Sequence, residues 1–395
     1  MTNQQQGKLT ILIAADTYPP DINGSAHFSS RLAQGLARRN HEVHVLAPSD
    51  KKGKGYSVIE GKVNLHRLPS HSVPTHATYR VCLPWEIKRE VSNLFDKIKP
   101  DVVHVQCHYL VGRIVVKEAV KRNIRLIATN HFVPECLSPF LPFPGWLRQM
   151  IVTFSWRDIG RVFSQAAVVT TPTSLAIKPL QELSLLEKVI SVSNGIDVSL
   201  YELMPDESIK LPEYPVVLFV GRLDPDKSID VLIQAIAQIP AKFNVHLTII
   251  GDGKIRKTLE NMALKLGIAE RVSFLGHVDE RTLRHAYLSA TLFCMPGTVE
   301  LQSIATLEAM AASKPVVLAN AMALPLLIEE GQNGYLFAPG DSSDLAQKIL
   351  TIIQLPENDK KNMGEASYNL AKKHHLEATL IAFENLYKPN LAPSS

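Results

Sequence analysis

Two glutamates eight positions apart, Glu300 and Glu308, lie where a strand-like run passes through a short loop into a helix. The run over 290–294 feeds Pro296-Gly297. From about Ser303 onward, Ile304, Leu307, Met310 and Ala311 fall on one helical face. The first N–H groups of such a helix have no intrahelical partner and present a place for an anion. Carboxylates on either side of it accept hydrogen bonds. Together they suit a ligand that carries both phosphates and hydroxyls, such as a nucleotide sugar. A surface helix bearing two solvated glutamates has the same residue pattern.

A second charged set follows the apolar run 216–220. Arg222 and Lys227 flank a turn at the C-terminal end of that strand, before a helix that starts near Ile229. Two fixed cations there would neutralise a departing diphosphate. Loop cations are also commonly just solvated. Near the start of the chain, a strand over 8–15 leads through a loop containing Gly24 into a helix carrying Phe28, Leu32 and Leu36, and then a strand over 41–47. Strand, loop, helix and parallel strand make a Rossmann-like beginning. The loop is not G-x-G-x-x-G, and no acidic residue closes the second strand, which disfavours NAD.

These elements need two sheets to hold them. The 395 residues are enough for two ordinary domains. No apolar run is long enough to span a bilayer, and the polar first eight residues lack the apolar core of a signal peptide. Cys82, Cys107, Cys136 and Cys294 show no paired spacing, which reads as reduced thiols in a cytoplasmic protein. Residues 1–195 hold 24 Lys and Arg against 14 Asp and Glu, and the remainder 18 against 24. A basic first half suits an anionic partner, with lipid headgroups or nucleic acid as the usual candidates. It equally suits basic residues that merely solvate helices. No nucleic-acid motif, zinc-like Cys/His spacing or Asp-x-Asp is present, so neither nucleic acid nor a resident metal is expected.

Further elements follow in order. Residues 51–55 read as a basic, solvated turn and 63–68 as a strand. The stretch 79–85 is apolar and irregular, and 86–98 is an amphipathic helix ended by Pro100. His104 lies on a buried strand over 101–106, as a core histidine. Strands are expected at 125–129, 167–171, 189–192, 246–250, 272–278 and 315–319, with helices from Ser343 and Ala366. The stretch 136–165 sets Leu137, Phe140, Leu141, Phe143, Trp146, Met150, Phe154, Trp156 and Phe163 beside Arg148, Arg157 and Arg161. That mixture fits an interfacial segment. It also fits a packed helix with arginines reaching outward.

The stretch 300–308, closed by Leu307-Glu308-Ala309-Met310-Ala311 and Lys314-Pro315-Val316-Val317, resembles the E-x7-E motif of retaining glycosyltransferases of family four. The likeness runs along nearly the whole chain. Pro19-Pro20-Asp21-Ile22-Asn23-Gly24 resembles the family's P-P-x-x-G-G, with Asn23 in place of the first glycine. Asp101 to Gln106 resembles P-D-h-h-H-h. Thr129-Asn130-His131 resembles T-x-H, Asn194-Gly195-Ile196-Asp197 the hinge signature, and Gly221 to Ser228 the G-R-L-x-x-x-K-G loop with serine in place of its last glycine. Asn333-Gly334-Tyr335-Leu336 resembles the N-G-x-L/F turn. The resemblance implies an α/β chain of GT-B type, with two Rossmann-like domains facing across a cleft. Residues 1–195, with a returning helix at about 375–395, would bind the acceptor, and 196–374 the donor.

It further implies a retaining, metal-independent hexosyltransferase that uses a UDP- or GDP-linked sugar and needs no other cofactor. Arg222, Lys227 and amides at Gly24, Ser303 and Ile304 would meet the diphosphate. Glu308 would accept from the ribose, Glu300 would hold the transferred sugar, His131 would lie beside that sugar, and backbone at Gly253 would approach the nucleotide. Residues 130–135 also resemble transferases acting on diacylglycerol- or phosphatidylinositol-type lipids. This points to a glycerolipid or glycolipid acceptor and a peripheral place on an anionic membrane at the inner face. A soluble sugar or thiol acceptor is the alternative, as is a subunit that binds nucleotide sugar without catalysis. One departure stands out: Gln302-Ser303 replaces the usual F-G, which leaves the sugar open.

Overall fold

A computed structural model describes residues 7–21, 23–73, 76–135, 143–182, 186, 188–202 and 212–388. Cys136, Leu137, Phe140 and Leu141 fall outside them. The chain divides into two compact units, Met1–Ser193 with Thr379–Ser395, and Asn194–Ala378.

The first unit contains β1 (Thr10–Ala14), α1 (Gly24–Arg38), β2 (Glu42–Lys52), β3 (Tyr56–Glu60), β4 (Val63–Val73), β5 (His76–Val81) and α2 (Pro84–Ile98). It continues with β6 (Val102–Val105), α3 (Leu110–Lys121), β7 (Arg125–Thr129), α4 (Gly145–Phe163), β8 (Val168–Thr171), α5 (Ile177–Gln181) and β9 (Val189–Ser191). Its strands lie in the order β4-β2-β1-β6-β7-β8-β9, all parallel, with β3 and β5 antiparallel against β4. Helices over both faces require strands that are apolar on both sides. Ile11, Leu12, Ile13 and Ala14 of β1 are accordingly fully buried.

The second unit contains β10 (Val216–Val220), α6 (Ile229–Gln238), β11 (His246–Ile250), α7 (Arg256–Lys265), β12 (Val272–Gly276) and α8 (Glu280–Ser289). Then come β13 (Leu292–Met295), α9 (Ile304–Ala311), β14 (Val316–Ala319), β15 (Gly334–Phe337), α10 (Ser342–Ile353) and α11 (Glu357–Lys372). The last helix, α12 (Leu376–Tyr387), carries the chain back to the first unit. The second sheet is wholly parallel, in the order β12-β11-β10-β13-β14-β15. Strand order reverses between β1 and β6 in the first sheet and between β10 and β13 in the second. Doubly wound sheets hold ligands beyond the carboxyl ends of the strands at such a reversal.

Several expectations need correction. The basic solvated turn expected at 51–55 narrows to 53–55: Lys51 and Lys52 extend β2, and the Lys51 ammonium sits 4.4 Å from the Tyr56 ring centre. The irregular part of the stretch 79–85 is only Cys82-Leu83: β5 ends at Val81, and α2 opens with Pro84 at its first position. Asn333-Gly334-Tyr335-Leu336 runs into a strand. The helix expected from Ala366 is two helices, parted where Ile196 bridges His375. His104 is a core histidine as expected: it is fully buried, and both ring nitrogens are engaged.

Candidate functional site

Because β10 and β13 are neighbours, the loops leaving their C-terminal ends are also neighbours. Gly221 to Ser228 leaves β10, and Pro296 to Ser303 leaves β13. They are stitched by Thr298 N–H donating to the Asp226 carbonyl at 3.2 Å, and Gly297 packs on the Lys227 backbone. This brings together residues 73 apart in sequence: Lys227 Nζ lies 2.6 Å from Glu300 Oε1. Lys227 Nζ is also 3.5 Å from Asp226 Oδ2. Arg222 pairs with Asp224 and reaches to 3.9 Å from Asp226. Arg222, Lys227 and Glu300 thus form one cluster.

Burial works against the Lys227 ammonium, but Glu300 and Asp226 outweigh it and hold its pKa above the ordinary lysine value. A nearly buried cation is tolerated only when paired. Glu300 and Asp226 supply that pairing for Lys227, and Asp224 pairs with Arg222; the two aspartates were missed in the sequence. Their position inside the Arg222–Lys227 turn was the available signal.

Ser303 is the N-cap of α9. Its hydroxyl accepts from Thr306 N–H at 3.3 Å and bonds the Thr306 hydroxyl at 2.7 Å. Its φ of −86° needs no glycine. The amides of Ile304 and Ala305, at the head of this helix, precede its first intrahelical bond. Gln302, the other departure from the family pattern, accepts from Asn194 N–H at 2.9 Å and so binds the 194–197 turn. Glu308 is buried and accepts from the buried Tyr287 hydroxyl at 3.1 Å. Tyr287, 21 residues away on α8, gave no sequence signal.

Gly253 has a packing reason to be glycine. A Cβ there would come inside 3.0 Å of the Leu223 backbone, and Leu223 bonds Asp252 and Ile255 through main chain. The 251–255 turn therefore braces the loop that carries Arg222.

In the first unit, Asn23 is the N-cap of α1, accepting from Ala26 N–H at 2.9 Å. This gives the departure from P-P-x-x-G-G a structural task. Gly24 is exposed at the head of α1, and a Cβ added there would meet nothing within 4 Å. Protein packing does not demand this glycine. His131 follows β7 at the carboxyl side of the sheet, 5.2 Å from Phe28 of α1 between ring centres, with Nε2 2.8 Å from Gln106 Oε1. Burial lowers its pKa to about 4, which leaves a neutral ring at neutral pH. Cys82, Cys107 and Cys294 are free thiols.

Residues 22–200 match the model described as Glycosyltransferase Family 4, and residues 202–370 that of Glycosyl transferases group 1. An uncharacterized glycosyltransferase of Methanocaldococcus jannaschii is 28% identical over 387 residues, covering 93% of this chain and 97% of its own. Alpha-monoglucosyldiacylglycerol synthase of Acholeplasma laidlawii is 24% identical over 373 residues, covering 88% and 89%. The fold is shared with Anabaena HepE, solved in complex with UDP-glucose, at a TM-score of 0.73 and 18% identity over 95% of this chain and 98% of that one. Two consecutive family models that together account for most of the chain, on a pair of doubly wound sheets, place it in one family: the chain belongs to the family-four glycosyltransferases and has the GT-B fold.

Proposed function

We propose that the protein transfers a hexose from a UDP- or GDP-linked donor to an acceptor hydroxyl with retention of configuration, and that it needs no metal. The observation that carries this reading is the cluster of Arg222, Lys227 and Glu300 beside the head of α9. Departure of a nucleoside diphosphate builds negative charge. Lys227, Arg222 and the amides at Ser303 and Ile304 are preorganised donors for it, and such donors act where charge develops. Glu300 holds sugar hydroxyls, and Glu308, oriented by Tyr287, accepts from the ribose. The roles of Gly24 at the diphosphate and His131 beside the sugar rest on the family pattern, as do retention and the domain roles, with acceptor binding in 1–195 and the returning helix and donor binding in 196–374. HepE, of the same fold, was solved with UDP-glucose, which supports a donor of this class.

For the acceptor we infer a glycerolipid or glycolipid met at an anionic membrane surface. Trp146, Met150 and Phe154 recur at four-residue spacing on α4 and are 69%, 43% and 58% exposed. Arg157 and Arg161 continue the exposed face. An apolar stripe ending in arginines suits anionic headgroups over acyl chains. One relative is named for the synthesis of a glucosyldiacylglycerol. No helix among the described residues is long and apolar enough to cross a membrane.

The donor test is a thermal-shift screen of UDP- and GDP-sugars. The matching donor at a hundred times its Kd stabilises by about 2.7 kcal/mol. Lys227→Ala should keep the fold and lose turnover by ~10²- to 10³-fold. Unchanged turnover in that variant would reject this cluster as the diphosphate site, and donor binding without turnover in the unaltered protein would favour a subunit that binds without catalysing.

A further inference from the structure

A buried chain of polar side chains runs from the last helix to His131. Tyr387 Oη lies 2.8 Å from His104 Nδ1. His104 Nε2 lies 2.6 Å from Thr129 Oγ1 and 3.3 Å from Gln106 Nε2. Gln106 Oε1 lies 2.8 Å from His131 Nε2; the first direction below keeps the carboxamide so placed, and the second turns it over. Thr129 Oγ1 is 2.7 Å from Thr170 Oγ1, which is 3.4 Å from the Ala128 carbonyl. His104, Gln106, Thr129, Thr170 and Tyr387 are all buried. A half-turn of the carboxamide exchanges its oxygen and nitrogen, so the protons can be placed in two directions.

In the first direction, His131 carries its proton on Nε2 and donates to Gln106. The Gln106 amide and the Thr129 hydroxyl must then both donate to the one lone pair of His104 Nε2. His104 donates from Nδ1 to Tyr387, whose own proton has no acceptor among the described residues. In the second direction, Tyr387 donates to His104 Nδ1. His104 donates from Nε2 to Thr129, its nearer partner. Thr129 donates to Thr170, and Thr170 to the Ala128 carbonyl. The Gln106 oxygen faces His104, and its amide donates to His131 Nε2. Every hydroxyl proton now has an acceptor. Buried donors without partners are rare because nothing repays their lost hydration.

We propose that Gln106, His104 and Tyr387 are positioning residues that fix His131 as a neutral ring with its proton on Nδ1 and Nε2 accepting from Gln106. The hydrogen bond made by one ring nitrogen decides which nitrogen carries the proton. His131 then offers an N–H donor to a substrate oxygen, and the phenol setting that polarity belongs to α12. The link to catalysis rests on the reading of His131 as a substrate-facing residue.

Nitrogen-15 shifts of the histidine side chains in the full-length protein test the assignment near pH 7. The expected result is a protonated Nδ1 and a bare Nε2 on His131. A protonated Nε2 in the unaltered protein, or rapid exchange between the two forms, overturns it. Gln106→Glu presents only acceptors, so it should move the proton to Nε2; an unmoved proton also overturns the proposal. In Tyr387→Phe the single form should give way to a mixture, with kcat reduced about tenfold, as when an outer partner orienting a working histidine is removed. If the shifts follow this pattern and kcat stays constant in both variants, the proton assignment stands and the role of His131 in transfer falls.

Discussion

Ser228 adopts φ +47°, a left-handed conformation, at the position where family members carry glycine. The strain of an L-residue there is roughly 1–2 kcal/mol, while glycine adds about 0.5–1 kcal/mol of chain entropy to lose on folding. Ser228→Gly should therefore stabilise the protein by roughly 0.5–1 kcal/mol, read as a raised denaturant midpoint with unchanged slope. At this scale the sequence announced the participants but not their partners. Arg222, Lys227, Glu300 and Glu308 were marked by type and motif. The Lys227–Glu300 bond was hidden because it depends on β10 and β13 lying side by side. Gly253 was marked as backbone that would approach the nucleotide, and the close Leu223 backbone is a packing reason for glycine there that the sequence did not announce.

Among the elements, buried strands were legible because continuous apolar runs betray them. β7 and β11 begin and end where the pattern indicates. β3 escaped because four of its five residues are exposed and nothing periodic remains. α12 was expected to return to the first unit, but the residues that hold it were not foreseen. Arg39 of α1's C-cap pairs with Glu384 at 2.8 Å, and His41 Nε2 lies 3.0 Å from the same carboxylate. Burial pushes the Glu384 pKa up, yet the bonds to Arg39 and His41 prevail and hold it below the ordinary 4.5. A depressed carboxyl contributes stability that is present above pH 4.5 and is lost as pH falls through its folded value. Protection factors of α12 amides, corrected for the intrinsic pH dependence of exchange, should thus be lower below that value than at pH 7, and should fall before those of β10 or β11. Glu384→Gln, which removes the buried charge that Arg39 and His41 both face, should cost roughly 3 kcal/mol.

For the molecule as a whole, charge is distributed between the halves: 24 basic against 14 acidic residues in 1–195, and 18 against 24 beyond. The exposed apolar stripe of α4 lies in the basic half. Under the lipid reading, the protein should sediment with anionic phospholipid vesicles at low ionic strength and not with neutral ones. It should leave them near 1 M salt, where charges are felt over only ~3 Å. Replacing Trp146, Met150 and Phe154 together by serine should weaken that association even at low salt while leaving the thermal transition in place, because these side chains are largely exposed. Full activity on a soluble acceptor without vesicle binding would reject the lipid acceptor. The return of α12 has a consequence for how the polypeptide is made. Phe383, Glu384 and Tyr387 are buried side chains of the first unit, yet they follow the whole of the second unit in the chain. The part of the first unit that leaves the ribosome before the second therefore waits through its synthesis for the Glu384 carboxylate that meets Arg39 and His41 and for the Tyr387 hydroxyl that meets His104.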